Sequence, residues 1–343
     1  MGVRAKVVNG IERILGPERA DAAREVDIRV RRRIIAALDV EARGKARGAS
    51  ARGAGRRGSL SREQLIEALG HATPEGLGAG SILPAGLHWA SPDPYADYAK
   101  SASTRHSLLS GLHKRLKPRT YIEIGVNQGA SLTLSRTRSI GVDPAYRITK
   151  PLHCDLVTYL ETSDAFFARP DAFEHFNGVP VDLAFIDGMH LAEYALRDFM
   201  NMEKHVAPGG VVVLDDVLPR NDLEAYRVRR TQAWAGDVFK VHAVLQQYRP
   251  DLTLLPLNTQ PTGSYMILGT DPSSTVLDEA YESLVPYLTS KDPQKVDVEW
   301  LERRDSVDPA VLLRSDVWDE VVRLRNAGAE RDAFTDLWKA LTT

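Results

Sequence analysis

At 343 residues the chain is long enough to bury a full α/β core and carry appendages, and 43% hydrophobic with 26% charged residues is the composition of an ordinary globular protein. Its one cysteine, Cys154, excludes an intrachain disulfide and a thiolate metal cluster, and no apolar run has the length of a membrane span or of a signal-peptide core, which predicts a cytoplasmic protein. The net charge of −2 hides an asymmetry: residues 1–58 hold 15 Lys+Arg against 7 Asp+Glu, a basic arm ahead of an acidic body.

Residues 1–42 read as an amphipathic helical arm. Val7, Ile11, Ile14, Leu15, Val26, Val30, Ile34 and Leu38 recur at helical spacing, broken at Gly16-Pro17, and Arg29, Arg31, Arg32 and Arg33 flank the second piece. Such a helix can dock on the body or on a second copy of the chain, which makes a homo-oligomer one expectation. It can also touch an anionic membrane surface weakly, peripheral to the inner membrane face. Residues 43–58 read as a flexible basic linker, without the aromatic stacking groups that specific nucleic-acid binding needs. Residues 59–105 form a lead-in or lid segment: a short helix from Ser61 to Leu69, then a Pro/Gly-rich stretch with Trp89 and Tyr95.

From His106 to Pro272 apolar runs alternate with helix-compatible stretches. Runs at 120–125, 139–143, 156–160, 181–187 and 211–216, closed by an antiparallel pair at 252–257 and 264–269, predict an α/β fold. Its core is a doubly wound, mostly parallel seven-stranded sheet of Rossmann-like type, with helical N- and C-terminal additions. Residues 273–343 read as a C-terminal helical cover.

The chemistry is written at the strand ends. Tyr121-Ile-Glu-Ile-Gly125 runs into Gly129, and Ile140-Gly-Val-Asp143 ends the next strand. A pyrophosphate cofactor needs bare amides in a G-x-G-x-x-G turn; Glu123 and the missing G-x-G-x-x-G therefore argue against a nicotinamide dinucleotide. A carboxylate beside the turn suits a cationic cofactor such as S-adenosylmethionine (SAM), and Asp143 suits the two ribose hydroxyls. Farther on, Phe185-Ile-Asp187-Gly-Met-His190 and Leu214-Asp215-Asp216 bring three carboxylates and an imidazole to neighbouring strand ends. Three clustered carboxylates repel unless a cation sits among them, and hard oxygen donors suit Mg²⁺, Mn²⁺ or Ca²⁺ rather than zinc. A divalent ion there would orient an acceptor hydroxyl. His190 would take its proton, kept neutral by the N-terminus of the following helix.

Taken in order, Glu-Ile-Gly-Val-Asn-Gln-Gly, Ile-Gly-Val-Asp-Pro, Thr162-Ser-Asp-Ala-Phe-Phe167, Phe-Ile-Asp-Gly-Met-His and Pro208-Gly-Gly-Val-Val-Val-Leu-Asp-Asp216 resemble the class I SAM-dependent methyltransferase superfamily. More narrowly they resemble a bacterial branch of metal-dependent O-methyltransferases acting on macrolide sugars and related glycans. The resemblance implies SAM held by Glu123, Gly125, Gly129, Asp143, Ser163 and Asp187, a divalent metal, Mg²⁺ first, on Asp187, Asp215 and Asp216, and His190 as base. Ser163 has a second possible role, as N-cap of the helix after it. Catechol-type relatives carry Lys at the His190 position and Asn at the Asp216 position, so a sugar, glycan or polyhydroxylated acceptor is expected rather than a catechol. An alternative expectation is a peripheral membrane or assembly protein that uses the same scaffold for docking. Gly236-Asp-Val-Phe-Lys240 also resembles a stretch in such relatives, and sequence reasoning assigns it no physical role.

Overall fold

The structure, a computed structural model, describes residues 98–341 except residue 232, all within the compact unit Pro92–Thr343. The expected arm (1–42), linker (43–58) and most of the lead-in (59–97) lie outside the described residues. Among the described residues no helix is long and apolar enough to cross a membrane.

Seven strands form one sheet: β1 (Thr120–Ile124), β2 (Arg138–Val142), β3 (Asp155–Tyr159), β4 (Val181–Ile186), β5 (Val206–Asp215), β6 (Thr253–Leu257) and β7 (Ser264–Leu268). Their spatial order is β3-β2-β1-β4-β5-β7-β6, with β7 antiparallel to both of its neighbours and the other pairs parallel. The chain reverses its direction of travel across the sheet between β1 and β4. That is the switch point at which doubly wound sheets bind ligands beyond the carboxyl ends of their strands.

Side chains alternate along each strand, so the two faces have separate cores. Ile122, Ile124, Ala184, Ile186, Val212 and Leu214 face α3 (Ala192–Glu203), α4 (Lys240–Tyr248) and α5 (Val276–Leu288). Tyr121, Leu183, Phe185, Val211 and Val213 face α1 (Arg105–Leu116) and the C-terminal helices α7 (Pro309–Arg314), α8 (Val317–Asn326) and α9 (Asp332–Lys339). The remaining helices are short: α2 (Ser163–Phe167) and α6 (Val298–Leu301). The C-terminal region thus covers both faces, α5 one and α7 to α9 the other.

Two expectations change. Helical crossovers were expected throughout, but between β1 and β2 only a 3₁₀ turn, Leu132–Leu134, forms, and no helix joins β2 to β3. The reason is local competition from hydroxyl side chains. Ser135 Oγ accepts from Thr137 N at 3.3 Å and Ser139 Oγ donates to Thr137 O at 3.0 Å, while Ser135 and Ser139 pair through their hydroxyls at 2.8 Å. In addition β5 starts at Val206 rather than Val211, passing through Pro208 where the register against β4 shifts between Val181 and Leu183. A bulge is where a strand tolerates a residue without an N–H.

Helix α1 starts at a defined point because Thr104 and Ser107 form a reciprocal capping box, and Thr104 bridges to Gln260 in the β6–β7 connection. Arg105, the first helical residue, is thereby held at the carboxyl edge of the sheet. On the same face Phe334 stacks on Trp338, centroids 6.1 Å apart, and both are almost fully buried. Phe334→Ala should lower unfolding free energy by about 3–5 kcal/mol. Urea melts with an unchanged m-value would show it, and a loss below about 1 kcal/mol would place Phe334 outside the cooperative core.

Candidate active site

The turn after β1 is shaped by one close approach. Gly125 has φ +93°, and a Cβ there would lie 1.8 Å from the main-chain oxygen of Asp187. No side chain fits, so the loops after β1 and β4 meet across the switch point on a glycine. Gly125 N donates to Val142 O and Gly129 N to Val126 O, closing the turn. Asp143, buried at the end of β2, accepts from Asn127 N (2.9 Å, on Oδ2) and Ala145 N (2.7 Å, on Oδ1). It ties the two strand ends together through one oxygen each. The ribose role expected of both oxygens is therefore joined to a structural one.

Glu123 lies within β1 and is 1% exposed. Its Oε2 accepts from Tyr121 Oη at 2.7 Å, and burial pushes its carboxyl up to about 8, with Tyr121 and Arg105 acting against the shift and Asp187 adding to it. The expectation of a carboxylate ionised at neutral pH is corrected, because burial outweighs its partners. Ser163 is the first residue of α2, beyond the end of β3. The cap of that helix is Thr162, whose Oγ1 accepts from Ala165 N, so the capping role weighed for Ser163 belongs to its neighbour.

On the other side of the switch point Asp187, His190 and Asp216 converge, each offering a ligand atom within 4.8 Å of the others. His190 Nε2 stands 3.2 Å from both Asp187 Oδ1 and Asp216 Oδ2. Its Nδ1 is 2.8 Å from Trp234 O; a carbonyl only accepts, so Nδ1 carries a proton. Burial opposes a charge on the ring, but Asp216, Asp187 and the Trp234 carbonyl prevail and raise the imidazole to about 9. The neutral imidazole expected from the helix N-terminus is thus corrected: two carboxylates outweigh a dipole of a few tenths to 1 kcal/mol.

Asp215 does not join this cluster. Arg105 Nη1 donates to its Oδ2 at 2.6 Å and lies 3.7 Å from Asp187 Oδ2, while Ser264 Oγ donates to Oδ1 at 2.7 Å. The cation among the carboxylates is a guanidinium supplied by α1. Burial opposes ionisation of Asp187, yet the His190 hydrogen bond and Arg105 hold it below the usual carboxylate range; burial pushes Asp215 and Asp216 up. Asp216 Oδ1 accepts from Thr262 Oγ1 at 2.5 Å, while its enclosed Oδ2 has no hydrogen-bond partner. That oxygen, which makes no hydrogen bond and has the His190 ring edge 3.2 Å away, fits a divalent cation together with Asp187 when His190 is neutral. The all-carboxylate set of Asp187, Asp215 and Asp216 assembles only where Arg105 leaves Asp215.

Sequence reasoning missed Arg105, Ser264, Thr262 and Trp234. None has a local signal, since Arg105 lies 110 positions from Asp215 and Trp234 lies 44 from His190.

Residues 122–217, from β1 past the Asp215-Asp216 strand end, match the family described as "Methyltransferase domain". No curated protein matches the chain. Among solved structures, the Podospora anserina methyltransferase PaMTH1 bound to SAH is 16% identical, with 55% of this chain and 98% of that one covered and a TM-score of 0.36. The O-methyltransferase TomG from Streptomyces achromogenes, in complex with SAM, is 19% identical over 52% and 90% of the two chains, with a TM-score of 0.35. An O-methyltransferase from Bacillus cereus in complex with SAH is 17% identical over 60% and 88%, with a TM-score of 0.33.

Two outcomes follow from the charges. Because the folded protein holds the Glu123 proton up to about pH 8 and the unfolded chain releases it near 4.5, this group favours folding fully at low pH. That contribution is lost as pH rises toward 8, at a slope of order 1 kcal/mol per pH unit. Denaturant melts from pH 5 to 9 should show this slope in the wild type and a flatter one in Glu123→Gln; parallel slopes would mean that Glu123 ionises normally. Arg105→Gln, which frees Asp215 from its counter-ion, should bind Mn²⁺ about tenfold or more tightly than wild type by calorimetry. Unchanged affinity would show that Arg105 does not compete for the site.

Proposed function

We propose that the chain is a SAM-dependent O-methyltransferase that methylates a hydroxyl of a sugar, glycan or polyhydroxylated natural product. The observation that carries the reading is the switch-point turn inside the matched domain: Gly125 packed on Asp187 O, Asp143 gripping the turn, and Glu123 beneath it. A dinucleotide pyrophosphate has no use for a buried acid there, whereas an ammonium and a sulfonium do. Asp143 accepts the ribose hydroxyls. Glu123 gives up its proton to meet the positive charge of the donor, and Gly125 and Gly129 let the main chain approach it. Ser163, at the start of α2, lies beyond the neighbouring strand end on the adenine side.

SAM supplies the reactive methyl, so the protein's work is to place the acceptor oxygen in line and to receive its proton. His190 Nε2 receives the proton in the neutral form of the ring, which grows in population as pH rises toward 9: the ring is anchored through Nδ1, and Nε2 is the edge turned to Asp187 and Asp216. The acceptor proton is then shared among Nε2 and the two carboxylates, of which Asp216 has the raised proton affinity. Asp187 and Asp216 are the residues that would hold a divalent ion, Mg²⁺ or Mn²⁺, which supplies polarisation of the hydroxyl. Arg105 keeps Asp215 fixed beside them. The His190 and Asp216 pair, in place of the Lys and Asn of catechol-type enzymes, supports an aliphatic hydroxyl acceptor.

Isothermal titration with SAM should give saturable one-site binding, and no heat at millimolar SAM would overturn the reading. His190→Ala should retain that binding while methyl transfer to a panel of sugars and polyols falls about 10²–10⁴-fold. Full transfer by the variant would remove His190 from the mechanism.

A further inference from the structure

His190 is held in a conformation that histidine rarely adopts. Its φ is +57°, in the left-handed region that costs a non-glycine residue about a kcal/mol or more unless its surroundings impose it. Three residues that fix it come from one short segment, 234–237. The Trp234 ring stacks on the imidazole, centroids 5.1 Å apart and planes 14° from parallel, and the Trp234 carbonyl takes the Nδ1 proton. Gly236 (φ +60°) lies against the His190 main chain so closely that a Cβ would sit 1.7 Å from His190 O. Asp237, fully buried, accepts from Ala192 N on Oδ1 at 2.9 Å, closing the first turn of α3 two residues after His190.

We propose that the 234–237 segment is the positioning device of His190, fixing its main chain and its Nδ1 edge so that Nε2 alone is presented to Asp187 and Asp216. The proposal rests on the reading of His190 as proton acceptor for its catalytic consequence, but the geometry it asserts is independent of that reading.

The same segment explains the Gly236-Asp-Val-Phe-Lys240 motif. Gly236 is required by contact with His190 O. Asp237 is required because the buried Ala192 N–H, at the start of α3, has no intrahelical acceptor. Lys240, three residues on, gives that carboxylate a counter-ion: its Nζ is 2.8 Å from Asp237 Oδ2, which also accepts from Arg227 Nη1 at 2.6 Å. Two cations compensate the desolvated charge of one carboxylate, which otherwise would not stay buried. Arg227 extends the clamp, pairing with Glu193 in the first turn of α3 and donating to Leu288 O at the end of α5. The device therefore joins the loop after β5, the N-terminus of α3 and the C-terminus of α5, and His190 stands at their junction. Trp234, Gly236 and Asp237 act through His190 and are positioning residues.

The test is long-range ¹H–¹⁵N correlation spectroscopy of the full chain labelled with ¹⁵N-histidine, alone and with SAM, the His190 signals being those lost in His190→Gln. The wild type should show an Nδ1-bound proton that exchanges slowly with solvent. Gly236→Ala should lose it, and Asp237→Asn should speed its exchange, while Phe334→Ala, which disturbs the core elsewhere, should leave it unchanged. A wild-type ring with unprotonated or freely exchanging Nδ1 overturns the proposal, as does a folded Gly236→Ala with the wild-type signature. If Gly236→Ala does not fold, the wild-type spectrum and Asp237→Asn decide on the same terms. SAM titration of each sample separates the two readings: absence of binding with an intact Nδ1 signature removes the proposed function and leaves the clamp standing.

Discussion

Glu123, Asp187, Asp215 and Asp216 end up in or beside the last residues of three adjacent strands, in a region from which most water is excluded. Four ionised carboxylates so placed would repel one another and each would lose its hydration, so the fold has to neutralise every one of them. It does so in four ways. Glu123 keeps its proton and accepts from Tyr121; Asp187 faces both Arg105 and His190; Asp215 takes Arg105 and Ser264; Asp216 takes His190 and Thr262. The surrounding architecture is arranged to deliver those partners.

Arg105 arrives because Thr104 and Ser107 start α1 at the carboxyl edge and because α1 packs on the sheet face that carries Tyr121 and Phe185. Strand alternation places Glu123 on that same face. His190 arrives from the other direction, through the loop before α3, and is kept there by a segment that follows β5. Asp216 is also left-handed, with φ +66°, and its N–H donates to Gly263 O in the turn before β7. Two of the three residues that converge thus hold strained main-chain conformations, each imposed by a neighbouring turn. Strain of that kind persists only where surrounding contacts over-determine it, and it concentrates at functional sites.

The consequence is a division of labour along one sheet edge. On the proposed function, the β1 and β2 ends take a cationic, ribose-bearing donor whose charge draws the proton from Glu123. The β4 and β5 ends gather Asp187, Asp215 and Asp216, balanced by Arg105 and His190. The electrostatics of that half depend on where the Arg105 guanidinium stands, 2.6 Å from Asp215 Oδ2 and 3.7 Å from Asp187 Oδ2.

Much of this was legible in the sequence because it follows from local pattern. Apolar runs placed six of the seven strands to within a residue at each end and β5 at its carboxyl end, and strand ends place Glu123, Asp143, Asp187 and Asp216 at one edge whatever else the chain does. The β1–β2 crossover was misjudged because hydroxyl side chains competing for main-chain groups leave no mark in apolar periodicity. The charge states were beyond reach for a different reason. Whether Glu123 ionises, whether His190 is neutral and which cation Asp215 meets depend on burial and on partners such as Arg105 and Trp234, which are distant in sequence. By itself, the sequence determined which carboxylates stand at the sheet edge. Only the tertiary structure decided how each is neutralised, because a buried charge is set by what packs around it.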